Sequence, residues 1–577
     1  MARRLAWIAG ILAVVASLAA AYAAYVLAGY SWSQVVDYRS PFADYELGWV
    51  EQMKARPAVE SQDTSTSPRV VLVLVDGLTL QASRDLMGSL NTARQYGADM
   101  VAVTPQPSLS YPTWTNVLTG APPDVSGVTT NWFEGRVPVE TVFDAVYPRP
   151  MVISATEDFD ELYAVRDVTA NVYLEPWDDT RYLGGVLVDE ALRMAEDTHA
   201  ALTFVYIPDA DTIAHDNGPE SDAYAEVVTR IDRDIQRLVE GMQDDRTLFV
   251  VTADHGHVDG GGHGGWETPA TRVPAVFFGP GARYESGVVS QSDIAPTVAA
   301  FLDADVPTWA SGRVLDSIVD VDPVALADAQ ASYRLYAERY ARLIDDTDSR
   351  VGGASTYDEI DRALSDVRTK RLEADRDARM STAALVAAGA LAVLLVVALL
   401  SWRALLATIG GTAAYYAVYN ALYFLVHGHQ WSLSAFNTET YVEAFFNVRM
   451  AEAAGAGLVA VLVSAAVYAA LRRDPKGPSG PYLGGWLSLG PATVLVVQAT
   501  IAAQVAWFLW AWGAEVTWRL PDLKWGFKYD LDLIQVTALG AAALLSPLVT
   551  YLVGRYHPKV RRAMAVSPAE EPPPADA

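Results

Sequence analysis

The chain contains no cysteine. Disulfide bonds, thiolate nucleophiles and cysteine-ligated metal sites are therefore excluded, and any metal ion must be bound by histidine and carboxylate side chains. Charged side chains are also scarce, at 19% of the residues, whereas hydrophobic residues make up 51%. Because globular proteins are about 25% charged, this balance indicates membrane-spanning segments and excludes a largely disordered chain.

Basic residues are few relative to acidic ones. There are 42 lysines and arginines against 69 aspartates and glutamates, which gives a net charge of −27. A nucleic-acid-binding protein needs a basic surface, so we expect no nucleic-acid partner. The length of 577 residues corresponds to about three or four domain-sized units.

Long apolar runs without charged residues predict the membrane spans. The first, Leu5–Gly29, follows Arg3 and Arg4 and is longer than the apolar core of a signal peptide, so we interpret it as a retained anchor. The second half of the chain contains five more candidates: Ser381–Leu400, Leu405–Val426, Ala453–Leu471, Leu487–Trp512 and Leu533–Val553. Each is long enough to cross a hydrocarbon layer of about 30 Å.

The basic residues of the short connections fall on one side if these spans alternate in direction. They are Arg403, then Arg472, Arg473 and Lys476, then Arg555, Lys559, Arg561 and Arg562. The positive-inside rule places that side in the cytoplasm. We therefore expect a multi-pass protein of the plasma membrane, with an extracytoplasmic region between the first two spans and a cytoplasmic C-terminus.

This topology divides the chain into six segments. They are an N-terminal anchor (1–30), a linker (31–66), an extracytoplasmic domain (67–322), a charged helical stalk (323–380), a five-span bundle (381–555) and a disordered cytoplasmic tail (556–577). Outer loops of the bundle contain Trp431, Trp518, Trp525, Phe527 and Tyr529. These aromatic residues form either an interfacial belt or a pocket for a lipid headgroup.

Residues 67–322 alternate between strand-like and helix-like patterns. Valine-rich apolar runs predict strands at Arg69–Val75, Met151–Ser154, Ala201–Ile207, Thr247–Thr252 and Val273–Phe278, and helices such as Tyr182–Glu196 and Ser221–Met242 lie between them. This alternation is typical of an α/β fold with a mostly parallel sheet and helices on both faces. In such sheets, functional groups gather beyond the carboxyl ends of the strands.

Three of the predicted strands end in residues that can bind metal ions. Asp76 follows the first strand, Asp209, Asp211 and His215 follow the third, and Asp254, His255 and His257 follow the fourth. His263 stands in a glycine-rich stretch, Gly261–Gly265, which leaves its ring uncrowded. One Asp-Gly after a strand is usually only a turn, but three such strand ends indicate a shared metal site. Histidine and carboxylate together suit Zn²⁺ or Mn²⁺.

At these residues the chain resembles the alkaline phosphatase superfamily. It is most similar to the type I phosphodiesterases (nucleotide pyrophosphatases) and to the GPI ethanolamine-phosphate transferases, which also have an anchor, an outer catalytic domain and then a span bundle. The matching stretches are VDG at Asp76, SYPTWTNVLTG from Ser110 to Gly120, DTIAH from Asp211 to His215, ADHGH from Ala253 to His257, GGHGG around His263 and QSDIAPT from Gln291 to Thr297.

The resemblance implies a serine nucleophile. Ser110 stands ten residues before Gly120, as the nucleophile does in the family, and Thr113 is the alternative hydroxyl. The family usually has asparagine at the position of Thr113. Asn131 corresponds to the asparagine that contacts phosphate in the phosphodiesterase relatives.

The resemblance also implies two divalent cations, Zn²⁺ or Mn²⁺. One would be bound by Asp76, Asp254 and His255, with Ser110 as a further ligand, and the other by Asp211, His215 and His263. Asp209 is the rival of Asp211, and the four-residue step from Asp211 to His215 favours Asp211. His257 would lie behind the ligands or face the substrate.

These roles together predict a membrane-anchored two-metal phosphodiesterase or phosphohydrolase. It would cleave a phosphate ester, in one version a lipid-linked one, outside the cytoplasm through a phosphoseryl intermediate. Three alternatives remain at this point. They are a phosphoethanolamine-type transferase acting on a lipid or glycan, a sulfatase or phosphomonoesterase, and an inactive domain that only binds ligands.

Overall fold

The computed structural model describes residues 2–45, 67–146, 150–163, 170–172, 182–198, 200–345, 350–437, 441–471 and 483–565. The strands are β1 (Arg69–Val75), β2 (Ala98–Val103), β3 (Met151–Ile153), β4 (Ala170–Val172), β5 (Leu202–Ile207), β6 (Thr247–Ala253), β7 (Arg272–Phe278) and β8 (Glu285–Ser290). The helices are α1 (Ala2–Val36), α2 (Leu80–Asp85), α3 (Gly88–Ala93), α4 (Ser110–Thr119), α5 (Pro123–Ser126), α6 (Val142–Ala145), α7 (Asp158–Tyr163), α8 (Gly184–Ala195), α9 (Asp209–Asn217), α10 (Asp222–Met242), α11 (Thr268–Thr271), α12 (Ile294–Phe301), α13 (Pro323–Asp345), α14 (Tyr357–Leu400), α15 (Trp402–Asn420), α16 (Val442–Leu471), α17 (Leu483–Ala511) and α18 (Leu523–Ala565).

The strands of the described residues form one sheet in the order β4-β3-β5-β1-β6-β7-β2-β8. Strand β7 is antiparallel to both of its neighbours, and the other pairs are parallel. Every residue of β5 and β6 is buried, so both faces of the sheet are covered. The predicted α/β fold with a mostly parallel sheet is confirmed.

The five strands predicted from valine-rich runs are all present, with bounds within one residue of the prediction. The sequence patterns did not reveal β2, β4 and β8. Strand β8 shows why, because it lies at the edge of the sheet and buries only Val289. A strand that buries only one side chain shows no regular alternation of apolar and polar residues, so its sequence does not predict it.

The register of the central strands brings their ends together. Val75, the last residue of β1, lies opposite Ile207 of β5 and Ala253 of β6. The chain segments that follow these three residues therefore leave the sheet side by side at its carboxyl edge. Asp76 and Asp254 are the first residues beyond the edge on two of them.

The charged segment interpreted as a stalk is helical, and part of it belongs to the folded domain. Tyr336 and Tyr340 of α13 and Ile360 of α14 are buried in the same apolar core as the sheet. Helix α14 then continues without a break into the predicted second span and ends at Leu400.

Five helices of the described residues are long and apolar enough to cross a membrane: Trp7–Val36, Tyr357–Leu399, Val442–Leu471, Gly485–Ala511 and Leu523–Tyr556. They overlap five of the six predicted spans over most of their length. The sixth, Leu405–Val426, is formed by α15 and a π-helical turn, Ala421–Val426, and packs along α16. The chain is therefore a membrane protein with an α-helical bundle.

Contacts with the sheet domain mark one end of this bundle. At the end of α1, the Val35 carbonyl accepts a hydrogen bond from Thr129, and in the connection between α17 and α18, Trp518 Nε1 donates to Asp375 Oδ2 at 2.9 Å. Arg472, Arg473, Lys476, residues 46–66 of the linker and residues 566–577 of the tail lie outside the described residues.

Candidate two-cation active site

The site residues proposed from the sequence meet at the carboxyl edge of the sheet. Asp76 follows β1, and Asp254 and His255 lie at the end of β6. Asp211 and His215 lie four residues apart on α9, which begins just beyond β5. One helical turn separates these two side chains, so they project from the same face of α9.

A glycine allows β1 to approach α9 closely. Gly77, directly after Asp76, has a φ of +66°, and a Cβ atom there would lie 2.5 Å from His257 Nε2 and 2.7 Å from Asp211 Cα. Any other residue would therefore clash with the site as well as strain the backbone. Gly77 therefore does more than form a turn after β1, because its missing side chain lets the end of β1 lie close to Asp211 and His257.

Two groups of three side chains match the two ligand sets that the resemblance implied. Asp76, Asp254 and His255 form the first group, and Asp211, His215 and His263 form the second. Within each group, one ligand atom per residue lies within 4.8 Å of the others. His257 joins a third grouping with Asp211 and His255, so it lies between the two sets.

The first group is fully buried and tightly hydrogen-bonded. His255 Nε2 lies 3.4 Å from Asp76 Oδ1 and 3.4 Å from Asp254 Oδ2. Tyr206 donates a hydrogen bond to Asp76 Oδ2, and Trp114 Nε1 donates one to Asp254 Oδ2 at 2.9 Å. These partners orient the carboxylates from behind, as the outer partners of metal ligands do.

The second group is more open. His215 Nε2 lies 3.4 Å from Asp211 Oδ2 and 3.2 Å from His263 Nε2. The side chains of Asp211 and His215 are 19% and 18% exposed, whereas that of His255 in the first group is fully buried. His257 Nε2 lies 3.1 Å from Asp211 Oδ1. The second group therefore lies on the side from which a substrate can enter.

All four imidazole rings turn their Nε2 atoms toward the centre of the site. Their Nδ1 atoms lie against oxygen acceptors: His255 against Gly256 O at 3.3 Å, His257 against Gly261 O at 2.8 Å, His263 against Ser108 O at 3.0 Å and His215 against Asn437 Oδ1 at 3.4 Å. An Nδ1 atom that donates to oxygen leaves Nε2 as the lone pair in a neutral imidazole. The four lone pairs then point toward one centre.

Burial opposes charge on the first group. Burial raises the pKa of Asp76 well above its usual value and that of Asp254 to about 7, and repulsion from Asp211 adds to both shifts. Burial also lowers the pKa of His255, and lowers that of His263 to about 3. His255 and His263 are thus neutral, which is the form that binds metals, while the carboxylates of Asp76 and Asp254 need a positive charge near them to be ionised.

The donor set fits divalent cations. Asp76 Oδ1 and Asp211 Oδ1 are buried and make no hydrogen bond among the described residues, and His257 Nε2 is in the same condition. Buried, unpaired carboxylate oxygens are costly unless a cation lies between them. Three carboxylates and four imidazoles without a thiolate suit Zn²⁺ and also Mn²⁺.

Ser110 is the first residue of α4, beside the first group. Its Oγ lies 3.4 Å from His255 Nε2. The positive end of the α4 dipole favours negative charge beside Ser110, on an alkoxide or a phosphate. Thr113 is placed differently, because its buried hydroxyl donates to the carbonyl of Leu109 at 2.7 Å within the helix.

Of the two remaining candidates, Asn131 lies beside Ser110 and Asp209 lies at the start of α8. Asn131 Oδ1 accepts a hydrogen bond from the backbone N–H of Tyr111, directly after Ser110, at 3.0 Å, so Nδ2 is the atom left to face a ligand. Asp209 is turned away from the cavity. Its carboxylate accepts hydrogen bonds from the N–H groups of Leu183 and Gly184 and thereby caps the start of α8.

Several functional partners were missed by the sequence reasoning. Trp114, Tyr206 and Asn437 contact the side chains of Asp254, Asp76 and His215, respectively. None of the three is a charged residue or a histidine, so the search for metal ligands passed over them. Gln291 donates to the carbonyls of Ala253 and Asp254 and so fixes the turn after β6. The sequence could have indicated Gln291, because it is the first residue of the family-like stretch QSDIAPT. No sequence pattern pointed to Asn437, which lies in the membrane half.

Comparisons with known proteins agree with the resemblance. Residues 141–267 match the family Type I phosphodiesterase / nucleotide pyrophosphatase. GPI ethanolamine phosphate transferase 1 of Emericella nidulans is 27% identical over 355 residues, which cover 48% of this chain and 38% of the relative. The human GPI ethanolamine phosphate transferase 3, catalytic subunit, is 31% identical over 145 residues, or 23% of this chain and 13% of the relative. The matched region thus spans less than two fifths of either relative.

Solved structures include murine ectonucleotide pyrophosphatase / phosphodiesterase 5, which covers 41% of this chain and 96% of its own, with 12% identity and a TM-score of 0.33. Together, the family match and the transferase relatives confirm the resemblance that the motifs indicated.

Proposed function

We propose that this chain is a membrane-bound phosphotransferase. It would move a phosphoethanolamine-type group from a lipid donor to a hydroxyl group of a second lipid or a glycan. The observation that carries this proposal is the position of Ser110 Oγ, at a helix start and 3.4 Å from His255, next to two carboxylate–imidazole groups. The sequence alone favoured hydrolysis over transfer, and the names of the curated relatives reverse that order.

Two divalent cations belong to this proposal. Asp76, Asp254 and His255, with Ser110, would hold one, and Asp211, His215 and His263 would hold the other. When bound, such cations lower the pKa of a nearby hydroxyl and neutralise charge on phosphate oxygens. Zn²⁺ suits the mixed carboxylate and imidazole donors best, with Mn²⁺ as the alternative.

The residues of the chain supply the covalent chemistry. Ser110, having lost its proton to solvent, forms a bond from Oγ to phosphorus as the bond to the lipid's alcohol oxygen breaks, and that alcohol takes up a proton. An acceptor hydroxyl then forms the new bond to phosphorus, gives up its proton, and releases Ser110. Asn131 Nδ2 donates to a non-bridging oxygen, and the positive end of the α4 dipole stabilises the added negative charge.

The membrane half fits a lipid donor. Trp431 and Trp525 lie with their ring centroids 6.0 Å apart, and Trp525 also contacts Trp507 of α17 at 5.2 Å. A simple anchor needs one span, so a bundle with an aromatic end beside the site favours the headgroup pocket over a plain belt. In this proposal the bundle is multi-pass, the sheet domain is extracytoplasmic and the C-terminus is cytoplasmic. Arg403 directly follows the end of α14 that is remote from the sheet domain, and Arg555 lies near the corresponding end of α18, so the positive-inside rule places these ends in the cytoplasm.

Hydrolysis is the second candidate, and the match to type I phosphodiesterases supports it. The same phosphoseryl intermediate would then be released by water instead of an acceptor alcohol. The two candidates differ only in the second step, so an assay must follow where the transferred group ends.

The test uses the purified full chain in vesicles that contain phosphatidylethanolamine labelled in its headgroup. Transfer predicts release of diacylglycerol and appearance of the label on a second lipid or an added glycolipid, measured by mass spectrometry. Hydrolysis predicts free phosphoethanolamine instead. Release that is the same for the wild type and for Ser110→Ala would contradict both candidates.

A further inference from the structure

The hydrogen-bond acceptor for Nδ1 of His215 is a side chain of the membrane half, whereas His215 belongs to the sheet domain. Three of the four rings hold Nδ1 against backbone carbonyls of the sheet domain, at Gly256, Gly261 and Ser108. His215 instead faces Asn437, which lies 222 residues further along the chain. Asn437 belongs to the connection between α15 and α16, in a segment that we call the docking loop (residues 431–437).

Asn437 contacts His215 with both ends of its amide. Nδ2 donates to the backbone carbonyl of His215 at 2.6 Å, and Oδ1 lies 3.4 Å from Nδ1 of the ring. The first bond fixes which end of the amide is the donor, so Oδ1 can only accept. His215 must therefore carry its proton on Nδ1, which leaves Nε2 free to bind a cation.

The docking loop is held against the site by further polar contacts. The carbonyl of Trp431 accepts from Trp266 Nε1 at 2.9 Å, and Ser434 Oγ accepts from the backbone N–H of Gly265 at 3.0 Å. The buried carboxylate of Glu267 accepts from the hydroxyl of Ser432 at 2.8 Å and from that of Ser434 at 2.9 Å. These contacts reach the same glycine-rich stretch that carries His263.

Two glycines leave room for this contact. A Cβ atom at Gly262 would lie 2.2 Å from the carbonyl oxygen of Ser434, and one at Gly265 would lie 1.8 Å from Ser432 Oγ. The glycine-rich stretch thus presents bare backbone to the loop of the membrane half. A surface that only had to expose His263 to solvent would not need these two positions to be empty.

The loop is in turn fixed to the bundle. Leu433 and Phe436 pack on an apolar cluster that contains Tyr423 of the π-helical turn and Phe527 of α18. The Tyr423 hydroxyl also donates to the carbonyl of Gln430, just before the loop, at 2.7 Å. Movement of the bundle ends would therefore move Asn437 relative to His215.

We propose that Asn437 is a positioning residue for the second cation, so that the membrane half completes a site that the sheet domain cannot complete alone. This inference rests on the proposed function, in which His215 is a ligand. Without Asn437 the Nδ1 atom of His215 loses this acceptor, and the polar contacts of Nε2 are to Asp211 and His263, which are proposed ligands themselves, so the ring is held less firmly in one rotamer and one tautomer. The cation held by Asp211, His215 and His263 is then bound more weakly, whereas the first cation is unaffected.

The experiment compares cation binding by full-length wild type, Asn437→Ala and Asn437→Asp in detergent. Apoprotein is titrated with Zn²⁺ against a chelating indicator, and bound metal is counted by inductively coupled plasma mass spectrometry. We expect Asn437→Ala to weaken the second binding step by about 10- to 100-fold, the usual effect of removing the outer partner of a ligand. Asn437→Asp keeps an acceptor for Nδ1, so it should bind the second cation more tightly than Asn437→Ala.

The matched control is Asn217→Ala, an exposed asparagine at the end of the same helix, α9, which should bind both cations as the wild type does. An unchanged first binding step in Asn437→Ala shows that the variant is folded. Equal second steps in wild type and Asn437→Ala would overturn the inference, as would an Asn437→Asp variant no better than Asn437→Ala. Wild type that binds no cation would instead contradict the proposed function.

Discussion

The two candidate cation sites differ in the origin of their support. The first lies within the sheet domain, where Tyr206 and Trp114 donate to its carboxylates and no part of His255 is exposed. The second is partly exposed, and Asn437 of the membrane half supports its His215. The first site can therefore form as soon as the sheet folds, but the second also needs the bundle in place.

The largest expected effect is at the nucleophile beside the first site. Ser110→Ala removes the oxygen that we propose attacks phosphorus, so turnover should fall on the order of 10³-fold or more. The carboxylates and imidazoles of both sites stay, so at least one cation should still be bound with wild-type affinity. The measurement is phosphate-ester turnover together with metal counting.

Thr113→Ala is the control for this experiment. Its hydroxyl donates only to helix carbonyls, so its loss should cost about 1 kcal/mol of stability and leave turnover within a few-fold. A Thr113→Ala protein that loses turnover while Ser110→Ala keeps it would assign the nucleophile to Thr113.

The next effect tests the first site alone. Asp254→Asn removes the carboxylate of a proposed ligand that also accepts hydrogen bonds from Trp114 and from two backbone N–H groups. We expect it to lose about one bound cation and most turnover, with the second binding step retained. Asp209→Asn is the matched change of an aspartate that caps α8, and it should lower stability by about 1 kcal/mol without changing the metal content. The reverse pattern would make Asp209 the ligand.

The pH dependence of the free energy of unfolding, measured with and without cations, also tests whether the first site binds a cation. Without cations, the pKa of Asp254 is about 7 in the folded state, against about 3.9 in an unfolded chain. The folded state then binds more protons between these values, so the free energy of unfolding decreases as pH rises from about 4 to 7. Bound cations keep the carboxylate ionised in the folded state and remove this contribution.

The measurement is the melting temperature of chelator-treated and Zn²⁺-loaded protein across this pH range. Asp144, with a pKa of about 7, and Asp293, with one of about 6, are also raised by burial, but they lie outside the two ligand sets and contribute equally to both forms. The gap between the two curves should therefore widen as pH rises. Parallel curves would show that the first site does not bind the cation.

The first site could be predicted from the sequence and the support of the second could not, for one physical reason. Uninterrupted valine-rich runs mark strands buried on both faces, and parallel strands deliver their next residues to one edge. This rule brings Asp76, Asp254 and His255 to one edge, and the family resemblance then groups them as one ligand set. Trp114 and Tyr206 lie on apolar elements where an aromatic ring is ordinarily core, so their donor roles are visible only in the structure.

Asn437 shows the limit more sharply. It stands 222 residues from His215, in a loop between two membrane helices, and no pattern links the two segments. The path of the chain through the bundle decides which loop meets the site, and hydropathy predicts the spans but not the contacts of their connections. The glycine-rich stretch Gly261–Gly265 predicted that another group would approach its backbone closely. In the structure, that group is the docking loop, which lies against Gly262 and Gly265.

The smallest effect is expected where the two halves meet away from the site. Trp518, between α17 and α18, packs on Tyr340 and donates to Asp375, which keeps Arg371 as a partner when the indole is lost. Trp518→Phe should therefore lower the free energy of unfolding by about 1 kcal/mol and leave both cation-binding steps and turnover unchanged. Denaturant unfolding and Zn²⁺ titration of the full chain measure the two quantities. A weakened second binding step in Trp518→Phe would mean that general loosening of the two halves, and not the particular contact of Asn437 with His215, controls the second site.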